Sequence, residues 1–225
     1  MCGRFNVIDN PGLRVLLCDL GIDVQLPQAV NVAPTEQASL IRSVNGASEI
    51  VSARWWLTPS WAKQVDQKYA MFNARSESLS TRSAYKKPFK RQRGVIAMSS
   101  FIEWRTHQGV KQPYRVSSDS GAMSVAALWD VWRGEETPLL SCTMVTTAAA
   151  PAFSPWHARM PVLLSKEECG LWLNNDTVIA DNDPIFRSEL KEGWQLAPLG
   201  PGIGNARNKG VNLLVPVGEV VSLGD

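Results

Sequence analysis

The chain has 225 residues, of which 44% are hydrophobic and 20% charged, and its formal net charge is +2. This composition is typical of a globular protein with a sizeable core, and it excludes disordered, collagen-like and coiled-coil chains. No apolar run approaches the roughly 20 residues of a membrane span, and the N-terminus lacks the blocks of a signal peptide. We therefore expect a cytoplasmic protein with no membrane partner.

The predicted elements are mainly short strands. A helix is predicted over residues 11–20, with Asn10 as its N-cap and Pro11 in its first turn. Apolar or alternating runs bounded by turn residues predict strands over 38–44, 49–57, 94–104, 113–117, 122–131 and 139–147. Residues 165–173 predict a helix with a capping box of Ser165 and Glu168, and 183–191 predict another that starts at Pro184. The last predicted strand covers residues 194–199.

Because strands dominate and helices are few, we predict an α+β fold around a mainly antiparallel sheet or barrel. No segment resembles an interdomain linker, so a single domain over residues 1–225 is expected. The four cysteines form no C-x-x-C pair and there are only two histidines, so we expect free thiols and neither a metal site nor a cofactor. Cys18 and Cys142 lie in apolar runs and are predicted to be core residues, and the same prediction is made for Cys169.

The small net charge conceals an uneven distribution. Residues 74–115 contain ten basic side chains and two acidic ones, Glu77 and Glu103, so this segment has a net charge of +8. Because the whole chain carries +2, the remaining residues carry −6. The chain also has nine tryptophans, three of them at Trp55, Trp56 and Trp61. Basic and aromatic side chains together are typical of nucleic-acid binding, and three tryptophans in eight residues favour an exposed stacking surface. The alternative is an ordinary solvated face.

Cys2 is the first candidate for chemistry. Removal of the initiator Met1 would leave an N-terminal cysteine whose amine, with a pKa of about 8, neighbours a thiol with a pKa of about 8.5. Such a 1,2-aminothiol condenses with an aldehyde to an imine, which the thiol then closes to a thiazolidine. It also suits acyl transfer, with the amine as the base. The alternative is an incidental cysteine near the chain end.

Two further candidates are Glu103 and His157. Glu103 follows apolar residues and precedes Trp104, a setting that suits a general acid or base, although the carboxylate could also face solvent or pair with Arg105. His157 lies in the stiff segment Pro-Trp-His-Ala-Arg-Met-Pro, where functional groups are often displayed, although a lone histidine is usually structural.

Polar residues flank these candidates. Asn73 and Arg75 lie in Phe-Asn-Ala-Arg-Ser-Glu, where the amide can orient an intermediate and the guanidinium matches a phosphate. Arg4 lies two residues after Cys2, and Arg159 lies two residues after His157. Phosphate-binding groups near a reactive centre would be placed in this way.

Seven segments, in this order, resemble the SOS-response-associated peptidase (SRAP) family, whose members crosslink to abasic sites in single-stranded DNA. They are Met-Cys-Gly-Arg-Phe (1–5), Asn-Val-Ala-Pro (31–34), Trp-x-x-x-Pro-x-Trp (55–61), Phe-Asn-Ala-Arg-Ser-Glu (72–77), Phe-Ile-Glu-Trp (101–104), His-Ala-Arg-Met-Pro (157–161) and Gly-Asn-Ala-Arg-Asn-Lys-Gly (204–210). The resemblance covers nearly the whole chain and implies one α+β domain with a barrel-like β core and peripheral helices, its motifs lying within residues 2–210.

The resemblance also implies roles. Cys2 would capture the aldehyde of the abasic sugar as a thiazolidine, Glu103 would shuttle protons, Asn73 would position the amine or sugar hydroxyl, and His157 would assist proton transfer at the sugar. Crosslink reversal, lyase activity by β-elimination and self-removal of Met1 are further implied activities. The implied DNA-binding residues hold phosphates or shape the channel: Arg4, Asn31, Trp55, Trp56, Arg75 and Arg159.

The implied partner is single-stranded DNA with abasic sites, bound by a monomer in the nucleoid, together with replication-fork proteins. The chain departs from the family at Ala158, where aspartate is common, and at Ser100, Ile102 and Trp56. None of these changes removes an implied catalytic group. The competing hypotheses are an N-terminal-nucleophile amidohydrolase, a self-processing peptidase and a non-catalytic single-strand binder.

Overall fold

The structure, a computed structural model, describes residues 2–224, apart from the side chain of His107. The α-helices in this range are α1 (Pro11–Asp19), α2 (Ser83–Arg91) and α3 (Lys166–Leu173). The strands are β1 (Phe5–Val7), β2 (Ala29–Val32), β3 (Gln37–Val44), β4 (Ala47–Trp55), β5 (Asn73–Arg75), β6 (Arg93–Met98), β7 (Ser100–His107), β8 (Val110–Ser118), β9 (Met123–Trp132), β10 (Leu139–Ala148), β11 (Arg159–Pro161), β12 (Trp194–Pro198) and β13 (Val221–Leu223).

Five strands close a mixed β-barrel. Antiparallel pairs join β4 to β3, β3 to β6, β6 to β9 and β9 to β10, and a parallel pair between β10 and β4 completes the ring. The C-terminal half of β10 extends beyond this ring and pairs with β5 and with β11. A single strand therefore connects the barrel to two short segments that each carry predicted site residues.

The remaining six strands form an antiparallel sheet in the order β13-β12-β8-β7-β1-β2. One face packs on the barrel through large side chains such as Phe101, which contacts Phe153 and Trp194 edge to face. The other face carries a small apolar cluster that includes Ile102 and Ile203. Single 3₁₀ turns at 201–204 and 211–214 cover this second face.

Two of the predicted helices form as expected, for the predicted reasons. The Asn10 side chain accepts the Leu13 N–H at 3.0 Å at the start of α1. Ser165 and Glu168 form the capping box of α3. The α+β class with a mainly antiparallel, barrel-like core and peripheral helices is confirmed, with two parallel pairings on β10 as the exceptions.

Two element predictions were wrong. The predicted strand over 94–104 is two strands in different sheets, because the chain turns at Ser99, whose N–H donates to the Asn6 carbonyl at 2.9 Å. The predicted helix over 183–191 is only a 3₁₀ turn, Pro184–Phe186, after which Arg187 adopts an extended conformation. The burial of Ile185 and Phe186 in the core holds this turn.

The cysteine predictions hold in part. All four thiols are free, and Cys142 and Cys169 are buried as expected. Cys18 is exposed, which corrects its assignment to the core, because it lies to the side of the α1 face that buries Leu13 and Leu17. No helix within residues 2–224 is long and apolar enough to cross a membrane.

Candidate active site

Cys2 is held in a buried position, with only 1% of its surface exposed. Its carbonyl accepts the Asn73 Nδ2–H at 2.8 Å, and its thiol donates to the Arg4 carbonyl at 3.6 Å. Burial raises the pKa of the Cys2 thiol well above its usual range, and the negative charge of Glu103 raises it further. The thiol is therefore protonated at neutral pH, and a carboxylate lies near enough to influence it.

Asn73 reaches Cys2 because β5 runs parallel to β10, with Asn73 opposite Met144. The residue is buried, and its amide nitrogen is committed to Cys2. Its Oδ1 is also buried and has no hydrogen-bond partner among the described residues. An amide in this state holds the Cys2 backbone and retains an acceptor for an N–H or O–H group of a bound substrate.

Glu103 lies on β7, and only 4% of its surface is exposed. Because side chains alternate along a strand, Glu103 faces away from Ile102 and Trp104, which lie on the outer face of the sheet. One carboxylate oxygen accepts the Trp104 N–H at 3.1 Å. The solvent-facing alternative is thereby excluded, and a buried carboxylate stands beside the buried thiol.

His157 and Arg159 form a second unit at the start of β11. Nδ1 of His157 lies 2.9 Å from the Arg159 backbone nitrogen and 3.1 Å from the Arg159 carbonyl oxygen, so the ring is held against the Arg159 backbone. The Arg159 guanidinium donates to the Thr146 carbonyl at 2.6 Å and forms a two-pronged ion pair with Glu77. This ion pair holds the pKa of the Glu77 carboxyl below its usual range.

Strand β10 brings these two units towards each other. Thr146 on β10 lies opposite Arg75 on β5 and opposite Pro161 on β11. Its hydroxyl donates to the Ala74 carbonyl at 3.3 Å and accepts from Arg159 at 3.2 Å. The segments that carry Asn73 and His157 are thus fixed on opposite sides of the same strand.

A cationic groove lies on the outer face of β7 and β8. The Arg4 guanidinium and the Lys111 ammonium lie 5.8 Å and 5.7 Å from the centre of the Trp104 ring. All three line a groove of about 390 Å³. Burial lowers the pKa of Arg4, an effect that Glu36 partly opposes. Two cations flanking one aromatic ring suit a phosphate backbone and a stacked base.

The tryptophan cluster differs from the sequence prediction. Trp55 is fully buried and donates from Nε1 to the Phe72 carbonyl at 2.8 Å, and Trp56 is 9% exposed. Neither forms an exposed stacking surface, because both pack into the core beside Phe72. Trp61 is 62% exposed, so the expected surface is reduced to this one member of the three.

Asn31 is also buried, in a left-handed backbone conformation with φ of 54° that asparagine tolerates. Its Nδ2 donates to the carbonyls of Ile203, Asn205 and Asn208 at 3.0–3.1 Å. The Lys209 ammonium, in the same loop as these carbonyls, donates to the Asn31 carbonyl at 2.9 Å. Any contribution of Asn31 and Trp55 to a DNA channel is therefore through the shape of its walls.

The basic segment is only partly a surface field. Arg93 is buried, and its guanidinium donates to backbone carbonyls that include those of Trp172 and Phe89. Burial lowers the pKa of Arg93, whereas the carbonyl contacts stabilise its charged guanidinium as a structural cation. Seven of the ten basic residues are exposed, and five of these lie on or next to α2: Arg75, Arg82, Lys86, Lys87, Lys90, Arg91 and Lys111.

Comparison with known proteins identifies the family. The sequence model of the SOS response associated peptidase (SRAP) family matches residues 1–205. The chain belongs to the SRAP family.

Its SRAP relatives include a Bacillus subtilis protein named abasic site processing protein YoqW, 34% identical over 86% of this chain and 88% of the relative. The chicken protein named abasic site processing protein HMCES is 29% identical over 75% of this chain and 57% of its own length. Among solved structures, a Bacteroides thetaiotaomicron protein superimposes with a TM-score of 0.76 at 17% identity, covering 96% of this chain and all of that one. A phage-related protein from Bordetella bronchiseptica gives a TM-score of 0.69 at 22% identity, over 88% of this chain and 94% of that one.

In this SRAP chain, Cys2, Asn73 and Glu103 form one buried cluster, and Arg4 lies beside it through its backbone. Arg75 is exposed at the end of β5. Sequence reasoning did not assign Trp104 a role, although the alternation along Phe-Ile-Glu-Trp places it on the face opposite Glu103. Within residues 2–224, no group of three or more His, Cys, Asp or Glu side chains could hold a metal ion.

Proposed function

We propose that this protein binds single-stranded DNA containing an abasic site and captures the aldehyde of the lesion covalently through Cys2. The observation that carries the proposal is the buried hydrogen bond from Asn73 to Cys2 beside the carboxylate of Glu103. The names of the SRAP relatives, abasic site processing proteins, support the lesion as the substrate.

The reaction requires a free amine on Cys2, hence removal of Met1, which lies outside the described residues. The amine attacks the aldehyde carbon of the ring-opened sugar, and loss of one water gives an imine. The sulfur then adds to the imine carbon and its proton passes to the nitrogen, which closes a thiazolidine. An N-terminal cysteine supplies both nucleophiles within one five-membered ring.

The state of the thiol sets the order of these steps. Because burial and Glu103 keep the thiol protonated, the amine is the first nucleophile and the sulfur adds only as its proton departs. Glu103 lies near the thiol and can relay this proton to the nitrogen, and as an acid it can protonate the hydroxyl that leaves as water. The same proton transfers in reverse reopen the ring, so Glu103 also serves crosslink reversal.

Recognition of an abasic site must rely on the backbone and the aldehyde, because the lesion has no base to read. We infer that Arg4, Lys111 and Trp104 bind the strand on one side of Cys2, and that Arg75 binds a flanking phosphate. Trp61 lies against α2, where its Nε1–H donates to the Ser83 carbonyl at 3.4 Å. An exposed ring beside a basic helix offers a second stacking position for single-stranded DNA.

The test is denaturing electrophoresis of the protein with a single-stranded oligonucleotide that contains one abasic site. Mass spectrometry first establishes that Met1 is absent. We expect a covalent band with the wild type and with the exposed-thiol control Cys18→Ala, and none with Cys2→Ala. Absence of a band with the processed wild type would overturn the proposal.

Glu103→Gln tests the proton-transfer role separately from binding. We expect slower crosslinking and slower reversal with an unchanged affinity for undamaged single strands, since a neutral amide cannot exchange the proton. Wild-type rates in Glu103→Gln would remove the assignment. Robust release of ammonia from glutamine would instead support an amidohydrolase, and intact function in Cys2→Ala would support a simple single-strand binder.

A further inference from the structure

A second polar cavity lies on the outer face of the six-stranded sheet, with a volume of about 710 Å³. Cys2, Asn73, Glu103 and His157 are not among its lining residues. Its walls combine one arginine, serines, the start of α1 and apolar residues from the 3₁₀ turn at 211–214. Six of the residues that line the cavity are Arg115, Ser100, Ser117, Gly12, Leu214 and Val211.

The strand register places three of these polar groups together. On β7 and β8, Phe101 lies opposite Val116, and Ile102 lies opposite Arg115. One position further along both strands, Ser100 and Ser117 face each other. Because side chains alternate, Ser100, Ser117 and Arg115 share the outer face of the sheet, so that two hydroxyls lie beside one guanidinium.

Arg115 is half-buried without a carboxylate partner among the described residues. Its Nη1 donates to the Leu214 carbonyl at 3.1 Å, whereas its Nε is buried and has no hydrogen-bond partner among those residues. Burial alone lowers the pKa of Arg115, with no anion opposing that effect. A desolvated guanidinium in this state is stabilised by any anion that enters the cavity.

The neighbouring serine hydroxyls differ in the hydrogen bonds that they already form. Ser100 is buried and accepts the Asn6 Nδ2–H at 3.0 Å, which leaves its own O–H to donate. Ser117 is half-buried on the same face. Ser120, at the rim, is excluded as a ligand because its N–H and hydroxyl both bind Glu192. The free donors therefore lie around Arg115 and away from that carboxylate.

Helix α1 adds to this positive environment. Pro11 and Gly12 line the cavity, so the N-terminal turn of α1 lies against it. That turn contains no acidic residue, and the partial positive charge of a helix N-terminus favours an anion. The cavity is far larger than a tetrahedral anion, and Val211 and Leu214 leave an apolar wall for an organic substituent.

We propose that this cavity is a phosphate-binding site in which Arg115, Ser100 and Ser117 hold the phosphate oxygens. The site is independent of the Cys2 chemistry. The phosphate belongs either to a small molecule or to a DNA strand that extends beyond the lesion, and the two sources are distinguished by experiment.

The test is a titration of ¹⁵N-labelled protein at constant ionic strength, with chloride replaced by inorganic phosphate. We expect saturable shifts of the Gly12, Ser100 and Ser117 amide signals. Two parallel titrations use thymidine oligonucleotides with and without a 5′-phosphate. If both oligonucleotides compete with inorganic phosphate, the site binds the DNA backbone. If only the phosphorylated oligonucleotide competes, the site binds a terminal phosphate.

Two variants, each with a matched control, make the result decisive. Arg115→Gln should raise the apparent Kd for phosphate about 10-fold or more, the effect of losing a charge-assisted hydrogen bond, while the exposed control Arg133→Gln leaves it unchanged. If Arg115→Gln fails to fold, Ser117→Asp places a repelling carboxylate in the cavity and should abolish the shifts, whereas Ser117→Asn should retain them. Absence of saturable shifts in the wild type, or equal shifts in Ser117→Asp and Ser117→Asn, would overturn the proposal.

Discussion

Replacement of Asn73 by alanine isolates the contact on which the proposed chemistry depends. The change removes the donor at 2.8 Å from the Cys2 carbonyl and leaves that buried carbonyl without it. An unmade buried hydrogen bond costs about 1–3 kcal/mol, and each 1.36 kcal/mol is a factor of ten in rate, so crosslinking should slow by about 5- to 150-fold. The loss appears in the rate because the bond positions the nucleophile relative to Glu103.

The assay is single-turnover crosslinking, with protein in excess over an abasic oligonucleotide and products separated on a denaturing gel. Excess protein ensures that binding does not limit the rate, and melting curves verify that the variant is folded. The matched control is Asn182→Ala, which removes an exposed amide in a turn. A folded Asn73→Ala protein that crosslinks within about twofold of wild type would refute the positioning role, since the smallest expected loss is about fivefold.

Three further predictions follow from charges and burial. Glu77→Gln should release Arg159 to bind a phosphate, tightening single-strand binding and steepening its logarithmic salt dependence by about 0.7, as measured by fluorescence anisotropy. Burial raises the pKa of Cys142 to about 12, so its contribution to stability is complete below the unfolded thiol pKa of about 8.5 and declines as the pH rises towards 12. Urea unfolding between about pH 7.5 and pH 10 should therefore show a flatter alkaline decline in Cys142→Ala. Trp55→Ala should lower the free energy of unfolding by about 3–5 kcal/mol, whereas Trp61→Ala should weaken single-strand binding by about 1–3 kcal/mol at unchanged stability.

Each of these outcomes has a matched comparison. An unchanged affinity in Glu77→Gln would show that Arg159 does not reach DNA. Cys18→Ala removes an exposed thiol and should keep the wild-type alkaline decline. Similar melting temperatures for the Trp55 and Trp61 variants would contradict the difference in their burial.

Local signals predicted local structure well. Asn10 and Ser165 cap α1 and α3 because a capping interaction spans only three residues and is written in the sequence itself. Helix α2 was not predicted, because Pro88 and a run of basic residues mask the helical spacing of Tyr85, Pro88 and Phe89. That spacing was the available signal, and the basic residues occupy the opposite, exposed face.

The site was predicted by residue type and by family resemblance, whereas its arrangement depends on long-range pairing. Nothing within Phe-Asn-Ala-Arg-Ser-Glu indicates that Asn73 contacts a residue 71 positions earlier, since β5 reaches Cys2 only through its pairing with β10. The Glu77–Arg159 ion pair spans 82 positions and was likewise missed. Burial of Trp55 was missed because aromatic richness is compatible with either a core or a binding surface.

The hydrogen bonds of Asn31 also impose an order in time. They join positions that are 172 to 177 residues apart, so this wall cannot form until nearly the whole chain has been synthesised. At about 5–20 residues per second, the interval is roughly 9 to 35 s. The strands β5 and β7, which carry Asn73 and Glu103, are synthesised within this interval and well before residue 203. The surroundings of Cys2 therefore have all their strands before the wall that Asn31 holds, and that wall is the later of the two to be completed.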